Sequence, residues 1–313
     1  MIDRAGLSAT IGVEVRELRS IGGGHGARHY RARIADGRDL FVKSIADPSA
    51  GDAGARLAAE AAGLRWLGEA GAAPVPEIFF SGNALLALVW LPQASPDRAA
   101  AERFGRDLAM LHAFGADSFG APWRGFIASL ELSNQPRANQ PGDSWAPWYA
   151  EHRLLPYCRI ALDAGTLGRA ESKLIESVAD RITDLAGPAE PPSRIHGDCW
   201  SGNVLWSAGG GSEGVPPAAP PTRHPDRHCR GWLIDPAAHG GHRETDLAML
   251  DLFGLTHLDR VLAAYSEVAP LADGWRSRIG LHQLHPLLVH VCLFGSGYVD
   301  ATLAAARAAL AGR

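Results

Sequence analysis

The chain has 313 residues, a formal net charge of -4, 46% hydrophobic and 20% charged residues, the balance of an ordinary soluble globular protein with ample core. Its Lys and Arg are scattered, so neither nucleic acid nor an anionic membrane is an expected partner. No window is long and apolar enough to span a bilayer, no apolar signal core follows Met1, and four widely spaced cysteines (Cys158, Cys199, Cys229, Cys292) form no CxxC pair, so reduced thiols and a cytoplasmic location are expected.

The first ninety or so residues read as strands with one helix. VEVREL from Val13 alternates apolar and polar residues and runs into Gly22-Gly23-Gly24. In HYRARIADG, Tyr30, Ala32 and Ile34 share one face; Asp36-Gly37 is a hairpin signal, and DLFVKSI makes a third strand. GARLAAEAAGLRWLGEAG is a helix with Leu57, Leu64 and Leu67 at helical spacing. EIFF and ALLALVW follow as two further apolar stretches.

From about residue 97 the pattern turns mostly helical. Phe104, Leu108 and Leu111 make one stripe with Asp97 as N-cap, and further helices are expected over 148–164, 169–186, 245–253, 257–267 and from 276 to the end, with a break at Gly295. Two loops interrupt them, at 133–144 and at 207–231. The second is rich in Gly and Pro and is expected to be mobile or disordered; its His224, His228 and Cys229 are better read as solvated than as metal ligands. A β lobe with one helix, followed by a helical lobe, implies a cleft between them.

Four features point to chemistry in that cleft. The run SIGGGHGARHY lets backbone N–H groups approach a ligand, as a phosphate cradle requires, although it lacks the Lys-Ser/Thr ending of a P-loop. Lys43 ends LFVK on the face of Phe41, where an apolar residue is expected. Glu60 stands on the apolar stripe of its helix, between Leu57 and Leu64, and a carboxylate there needs a partner. Lys43 is the obvious one. Finally, RIHGDCWSGNVLW carries Asp198 and Asn203 in one loop, and WLIDPAAHGG ends an apolar strand abruptly at Asp235. Two oxygen ligands from separate loops suit Mg²⁺, which leaves Asp198 to orient an attacking hydroxyl, the division of labour of phosphoryl transfer.

The whole pattern resembles the protein-kinase-like superfamily and, within it, the fructosamine kinase (ketosamine 3-kinase) family. HGDCWSGN is similar to the family's HGDLWSGN, and IDPAAHGGHRETDLAMLDLFG, PLADGWRSRIGLHQLHPLLVHVCLFGSGY and FIASLELSNQP extend the likeness over nearly the whole chain. Aminoglycoside and choline kinases share HGD and a later Asp, but not the WSGN or GHRE-DLAM-FG runs. The resemblance implies an α+β bilobal kinase-like fold, with a small antiparallel N-lobe at 1–92 and a helical C-lobe at 93–313. It implies ATP and Mg²⁺ as cofactors, Asp198 as catalytic base, and Asn203 and Asp235 as metal ligands. Lys43 would contact the phosphates with Glu60 holding it, Gly22, Gly23 and Gly24 would cover them, and Leu88, Val89, Trp90 and Leu91 would form the hinge at adenine. His196 and Asp246 would brace the catalytic loop, and Trp200 would line the acceptor pocket.

The activity so implied is ATP-dependent phosphorylation of the 3-hydroxyl of a fructosyl- or ribulosyl-amine, free or protein-bound, in deglycation repair, by a monomer or homodimer. The other readings are a small-molecule kinase of the aminoglycoside or choline type, and a nucleotide-binding pseudokinase, which would have lost one of Lys43, Asp198, Asn203 or Asp235; none is lost. The role so implied asks no unusual pKa of Asp198; an ionised carboxylate at neutral pH suffices. The sequence departs from the family at the glycine run, where His25 has no assigned role and no redox cysteine is present. It departs again at Cys199 in place of Leu, and at His282 and His285 in place of tyrosines, which are expected to pack in the core.

Overall fold

The computed structural model describes residues 2–24, 26–48, 51–138, 144–208 and 229–312. A helix that the sequence reading does not anticipate opens the chain, α1 (Arg4–Ile11). Asp3 caps it by accepting the Gly6 N–H at 2.7 Å, and Gly12 ends it in the left-handed region at φ 75°. Both signals are in the sequence, but eight residues are too few to show a helical period.

Strands β1 (Val15–Gly24), β2 (Ala27–Ile34), β3 (Asp39–Ile45), β4 (Ile78–Gly82) and β5 (Leu85–Val89) form one antiparallel sheet in the order β1-β2-β3-β5-β4. Strand alternation divides its residues between two small cores. Tyr30, Ala32, Ile34, Leu40, Val42, Leu85 and Ala87 meet Leu7 and Ile11 of α1, whereas Ile45, Leu86 and Leu88 meet Leu57, Ala61 and Leu64 of α2 (Ala53–Glu69). The two helices therefore cover opposite faces, and Lys43 points to the α2 side together with Phe41.

The remainder is largely helical. α3 (Arg98–Phe114) begins at the expected cap, with the Ala100 N–H on Asp97 Oδ1 at 2.7 Å, and Phe104, Leu108 and Leu111 are fully buried. Short strands then appear where none is expected: β6 (Ser118–Phe119), β7 (Gly125–Ile127), β8 (Leu130–Leu132) and β9 (Arg137–Ala138). The β7–β8 hairpin lies in the FIASLEL stretch and packs on α2, where Arg124 pairs with Asp52 at 2.6 Å and the Trp66 and Trp123 rings meet edge-on at 5.6 Å.

The helix expected over 148–164 starts earlier and is composite: α4 (Trp145–Tyr149), a π turn at Ala150–Leu154 and α5 (Leu155–Asp163). The wide turn coincides with the buried guanidinium of Arg153, which donates to the Ser133 carbonyl at 2.5 Å and to Asn134 Oδ1 at 3.0 Å and lies over Trp148. The helix expected over 169–186 is broken at Arg181 into α6 (Arg169–Asp180) and α7 (Ile182–Leu185).

β10 (Ser193–Ile195), β11 (Val204–Ser207), β12 (Arg230–Leu233) and β13 (His239–Gly241) then frame the loops of interest, followed by α8 (Glu244–Leu252), α9 (Leu258–Val268), α10 (Trp275–Phe294) and α11 (Val299–Ala311). Gly295 separates the last two, as expected. Within α10, Pro286 cannot donate to the carbonyl four residues back; that carbonyl, of His282, accepts the Tyr149 hydroxyl at 3.2 Å instead. His282 and His285 are buried, as their place in the core requires. No helix among the described residues is long and apolar enough to cross a membrane.

Candidate active site

Lys43 reaches across from β3 to both oxygens of Glu60 on α2, at 2.8 Å each, and to Asp235 Oδ1 at 2.6 Å. The pairing expected from two misplaced charges is present, and a third charge joins it. Burial alone would push the ammonium towards neutrality, but the two carboxylates outweigh it and hold Lys43 protonated. One ammonium between two acids leaves an excess negative charge: burial raises the Glu60 carboxyl against the pull of Lys43, while the same lysine outweighs the desolvation of the Asp235 carboxyl, whose side chain is still 46% exposed, and keeps it below the usual carboxylate range.

Asp198 and Asn203 lie between β10 and β11. The Asn203 Nδ2 donates to the Asp198 carbonyl at 2.9 Å and to its Oδ2 at 2.8 Å, so the amide oxygen of Asn203 faces away from Asp198. β11 pairs with β12 with Val204 opposite Leu233, and the Ile234 N–H on the Asn203 carbonyl at 3.0 Å extends that ladder by one step. Asn203 and Asp235 are thereby brought to the same end of one hairpin. The ladder's other end is at Ser207 and Arg230, so the connection between the strands leaves away from the site. Most of that connection, with His224 and His228, lies outside the described residues, as does His25. Asp235 has φ 53°, a left-handed conformation uncommon for a residue with a side chain, at the point where the strand stops.

The loop is anchored from behind. Asp246 in α8 accepts the His196 N–H at 2.7 Å and the Gly197 N–H at 2.9 Å on its two oxygens, and His112 Nε2 meets it at 3.1 Å. Burial would raise this carboxyl, but the hydrogen bond of His112 and the other donors hold it below its ordinary range. His196 Nε2 donates to the Ile234 carbonyl at 2.9 Å and Nδ1 accepts the Asp198 N–H at 3.3 Å, so the ring is a neutral tautomer, in line with a pKa lowered by burial. Gly197 takes φ 79°, and a Cβ there would lie 2.3 Å from the Ala237 carbonyl oxygen, so glycine is required on both counts.

Asp198 is not an ordinary carboxylate. Burial pushes it up to about 7, the Asn203 hydrogen bond opposes the shift, and the charges of Asp235 and Asp246 add to it. The residue is half-buried rather than enclosed, so the carboxyl keeps a face open to the cleft.

The remaining expected residues are distributed around this centre. Gly22, Gly23 and Gly24 are exposed at the end of the β1–β2 ribbon, with Gly24 opposite Ala27. Leu88 and Val89 belong to β5, and the Val89 and Trp90 N–H groups are engaged by the carbonyls of Glu77 and Asp39, both at 2.9 Å. Any backbone donor to a ligand along the 88–91 segment must therefore come from elsewhere than those two amides. Trp200, 38% exposed, donates its backbone N–H to the Asp198 carbonyl at 3.0 Å; its six-membered ring lies over Gly202, and the indole meets the Phe253 ring edge-on with centroids 5.8 Å apart. His112 was missed, with Tyr265, whose hydroxyl bonds its Nδ1 at 2.8 Å. The oddity that exposes Glu60 applies here too: His112 follows Leu111 into the buried face of α3.

The geometry has relatives. The fructosamine kinase family model matches residues 5–311. The chain belongs to the fructosamine kinase family. A Synechocystis protein named "Probable ketoamine kinase" is 29% identical over 289 residues, covering 91% of this chain and 87% of its own. A Thermus thermophilus protein of the same name is 30% identical over 272 residues, covering 84% of each. A Thermobifida fusca protein, whose crystal structure carries the provisional name fructosamine-3-kinase, superposes with a TM-score of 0.86 at 48% identity over 98% of both chains. An aminoglycoside phosphotransferase bound to gentamicin shares the fold alone, at a TM-score of 0.60 and 14% identity. This member of the fructosamine kinase family is thus a phosphotransferase with the kinase-like α+β fold, a five-stranded antiparallel sheet followed by a helical part.

Proposed function

We propose that this protein transfers the γ-phosphoryl group of ATP to the 3-hydroxyl of a ketosamine, a fructosyl- or ribulosyl-amine, so that the product decomposes and releases the amine. The observation that carries the reading is the convergence of Lys43, Glu60 and Asp235 at the end of the hairpin that also presents Asn203 and, one loop away, Asp198.

The residues divide the work. Lys43, held by Glu60, contacts the phosphates, and the amides around Gly22, Gly23 and Gly24 close over them. The 88–91 segment would meet adenine through its backbone, other than the engaged Val89 and Trp90 amides. The Asn203 amide oxygen and the Asp235 carboxylate are hard oxygen donors on adjoining positions and fit Mg²⁺, which supplies charge neutralisation at the phosphates when bound. Lys43 then exchanges Asp235 for phosphate oxygens. Asp198 sits at the acceptor side, orients the attacking hydroxyl and takes its proton, and Asp246 with His196 keeps it there. Trp200 offers an indole surface to the C–H face of the sugar.

ADP release with Mg-ATP tests this, comparing ribulosyl-lysine, fructosyl-lysine, choline and an aminoglycoside, with the phosphorylated carbon assigned by ³¹P–¹H coupling. Turnover of a ketosamine at C3 supports the reading. Turnover confined to choline or the aminoglycoside overturns it.

A further inference from the structure

Beyond Trp200, an exposed row of aromatic rings continues away from Asp198. Phe253, just after α8, meets the Trp200 ring at 5.8 Å and the His290 ring at 5.2 Å; His290 in turn meets Phe294 at 5.4 Å and Tyr298 at 4.8 Å. These side chains come from four different segments, yet they stand edge to edge on one surface. Phe253 is 41% and Phe294 61% exposed, so two large apolar rings face solvent beside the candidate site. Scattered apolar residues on a surface need no explanation, but a contiguous row that begins two residues from Asp198, in the same loop, does.

The row is built rather than accidental. His290 donates its Nδ1–H to the Pro286 carbonyl at 2.6 Å, which fixes its ring plane and leaves Nε2 as the free nitrogen. Trp200 is held between Gly202 beneath it and Phe253 at its edge; a Cβ at position 202 would lie 2.3 Å from the indole. None of the five side chains carries a permanent charge, and a ketosamine's protonated amine is the kind of cation that aromatic faces attract.

We infer that the strip Trp200–Phe253–His290–Phe294–Tyr298 receives the amine end of the acceptor, and that the protein selects ketosamines whose amine bears an aromatic or extended apolar substituent. The inference rests on the ketosamine reading above. With the sugar's hydroxyl at Asp198 and its C–H face on Trp200, the substituent on C1 runs along Phe253 towards Phe294. A methyl substituent ends beside Trp200, whereas a phenylethyl group carries a further aromatic ring out along the strip.

The test compares two acceptors with the same sugar, the N-methyl and the N-(2-phenylethyl) ketosamine, in the wild type and in Phe294→Ala and Tyr298→Ala. The wild type should have a KM about tenfold lower for the phenylethyl compound, a difference that the variants remove, with kcat and the KM for ATP changed less than about twofold. Saturation-transfer NMR on the phenyl protons reads the same contact without turnover, and the signal should disappear in Phe294→Ala. If neither compound is phosphorylated but the phenyl signal is present and lost in the variant, the ketosamine reading fails and the strip stands as a binding surface. Equal KM values in the wild type, or a phenyl signal unchanged in both variants, overturn the inference.

Discussion

Asp246 and His196 are 50 residues apart, yet the carboxylate of the first fixes the backbone of the second: one oxygen takes the His196 N–H and the other the Gly197 N–H. A carboxylate can accept on both oxygens, whereas an amide cannot. Asp246→Asn turns one oxygen into an NH₂ that faces a backbone donor or His112, leaving buried donors unpaired at a cost of about 2–4 kcal/mol. The variant should show a lower Tm and a kcat reduced about a hundredfold, with a smaller change in nucleotide affinity. A kcat within threefold of wild type would mean that the loop holds Asp198 without this brace.

Asp198→Asn tests the proton acceptor itself. The substitution keeps the shape and the Asn203 contact to its side-chain oxygen but removes the basic site. Turnover should fall at least about a thousandfold while ATP binding, measured by calorimetry or nucleotide fluorescence, changes less than about threefold. Because burial pushes this carboxyl up to about 7 in the metal-free protein, the variant should not be destabilised. Retained turnover would remove Asp198 from the chemistry.

What the sequence showed and what it hid follow from the reach of each signal. Lys43 and Glu60 were legible because each broke an apolar pattern and each explained the other. The hairpin that unites Asn203 with Asp235 could be guessed only by likeness, since strands of four residues carry no usable period. The shared lysine contact to Asp235 spans 192 residues and left no local trace. α1 was lost to its brevity, and the β7–β8 hairpin to three-residue strands whose burial is decided by α2. The upward shift at Asp198 has no local trace either: turn residues announce a loop, but only the packed structure shows which charges surround its carboxyl.

The core also carries an acid sensitivity. His239 and His242 are buried and neutral, with pKa values pushed down to about 3 by burial, and His196, His282 and His285 are lowered in the same way. Between about pH 6.5 and 3 the unfolded chain protonates the rings of His239 and His242 and the native state does not; the other three act in the same direction. The unfolded state then binds more protons, so stability falls as pH drops through that window, by as much as a few kcal/mol for each ring. Glu244, held down to about 2 in spite of its burial by His282 and Arg278, adds a loss only below about pH 4.5. Asp198 and Glu60, both raised to about 7, act in the opposite sense: below that pH the native state binds their protons first, which offsets the histidine loss until the carboxyls of the unfolded chain titrate near pH 4. Asp198→Asn removes one of these offsets, so its Tm should fall more steeply than that of the wild type between pH 7 and 5.5. An Asp198→Asn Tm that falls no more steeply than that of the wild type over that range would contradict these assignments.

Gly63 reports on how the Glu60 helix is seated. It lies three residues beyond Glu60, and a Cβ there would approach Pro236 Cγ to 3.1 Å and Ala238 Cβ to 3.2 Å, so α2 rests directly on the segment that follows Asp235. Alanine gains up to about 1 kcal/mol in helix propensity against a contact a few tenths of an ångström too tight, and Gly63→Ala should be near neutral. Valine adds two methyl groups with no space for them, and must push α2 away from the 236–238 segment, taking Glu60 and Lys43 from their register with Asp235. Gly63→Val should therefore lower kcat/KM at least about tenfold, while Ala58→Val, a β-branched change on the exposed face of the same helix, should lower it less than twofold. If the two variants lose activity equally, the loss belongs to helix propensity, and the packing of α2 on the Asp235 loop does not set the geometry of the site.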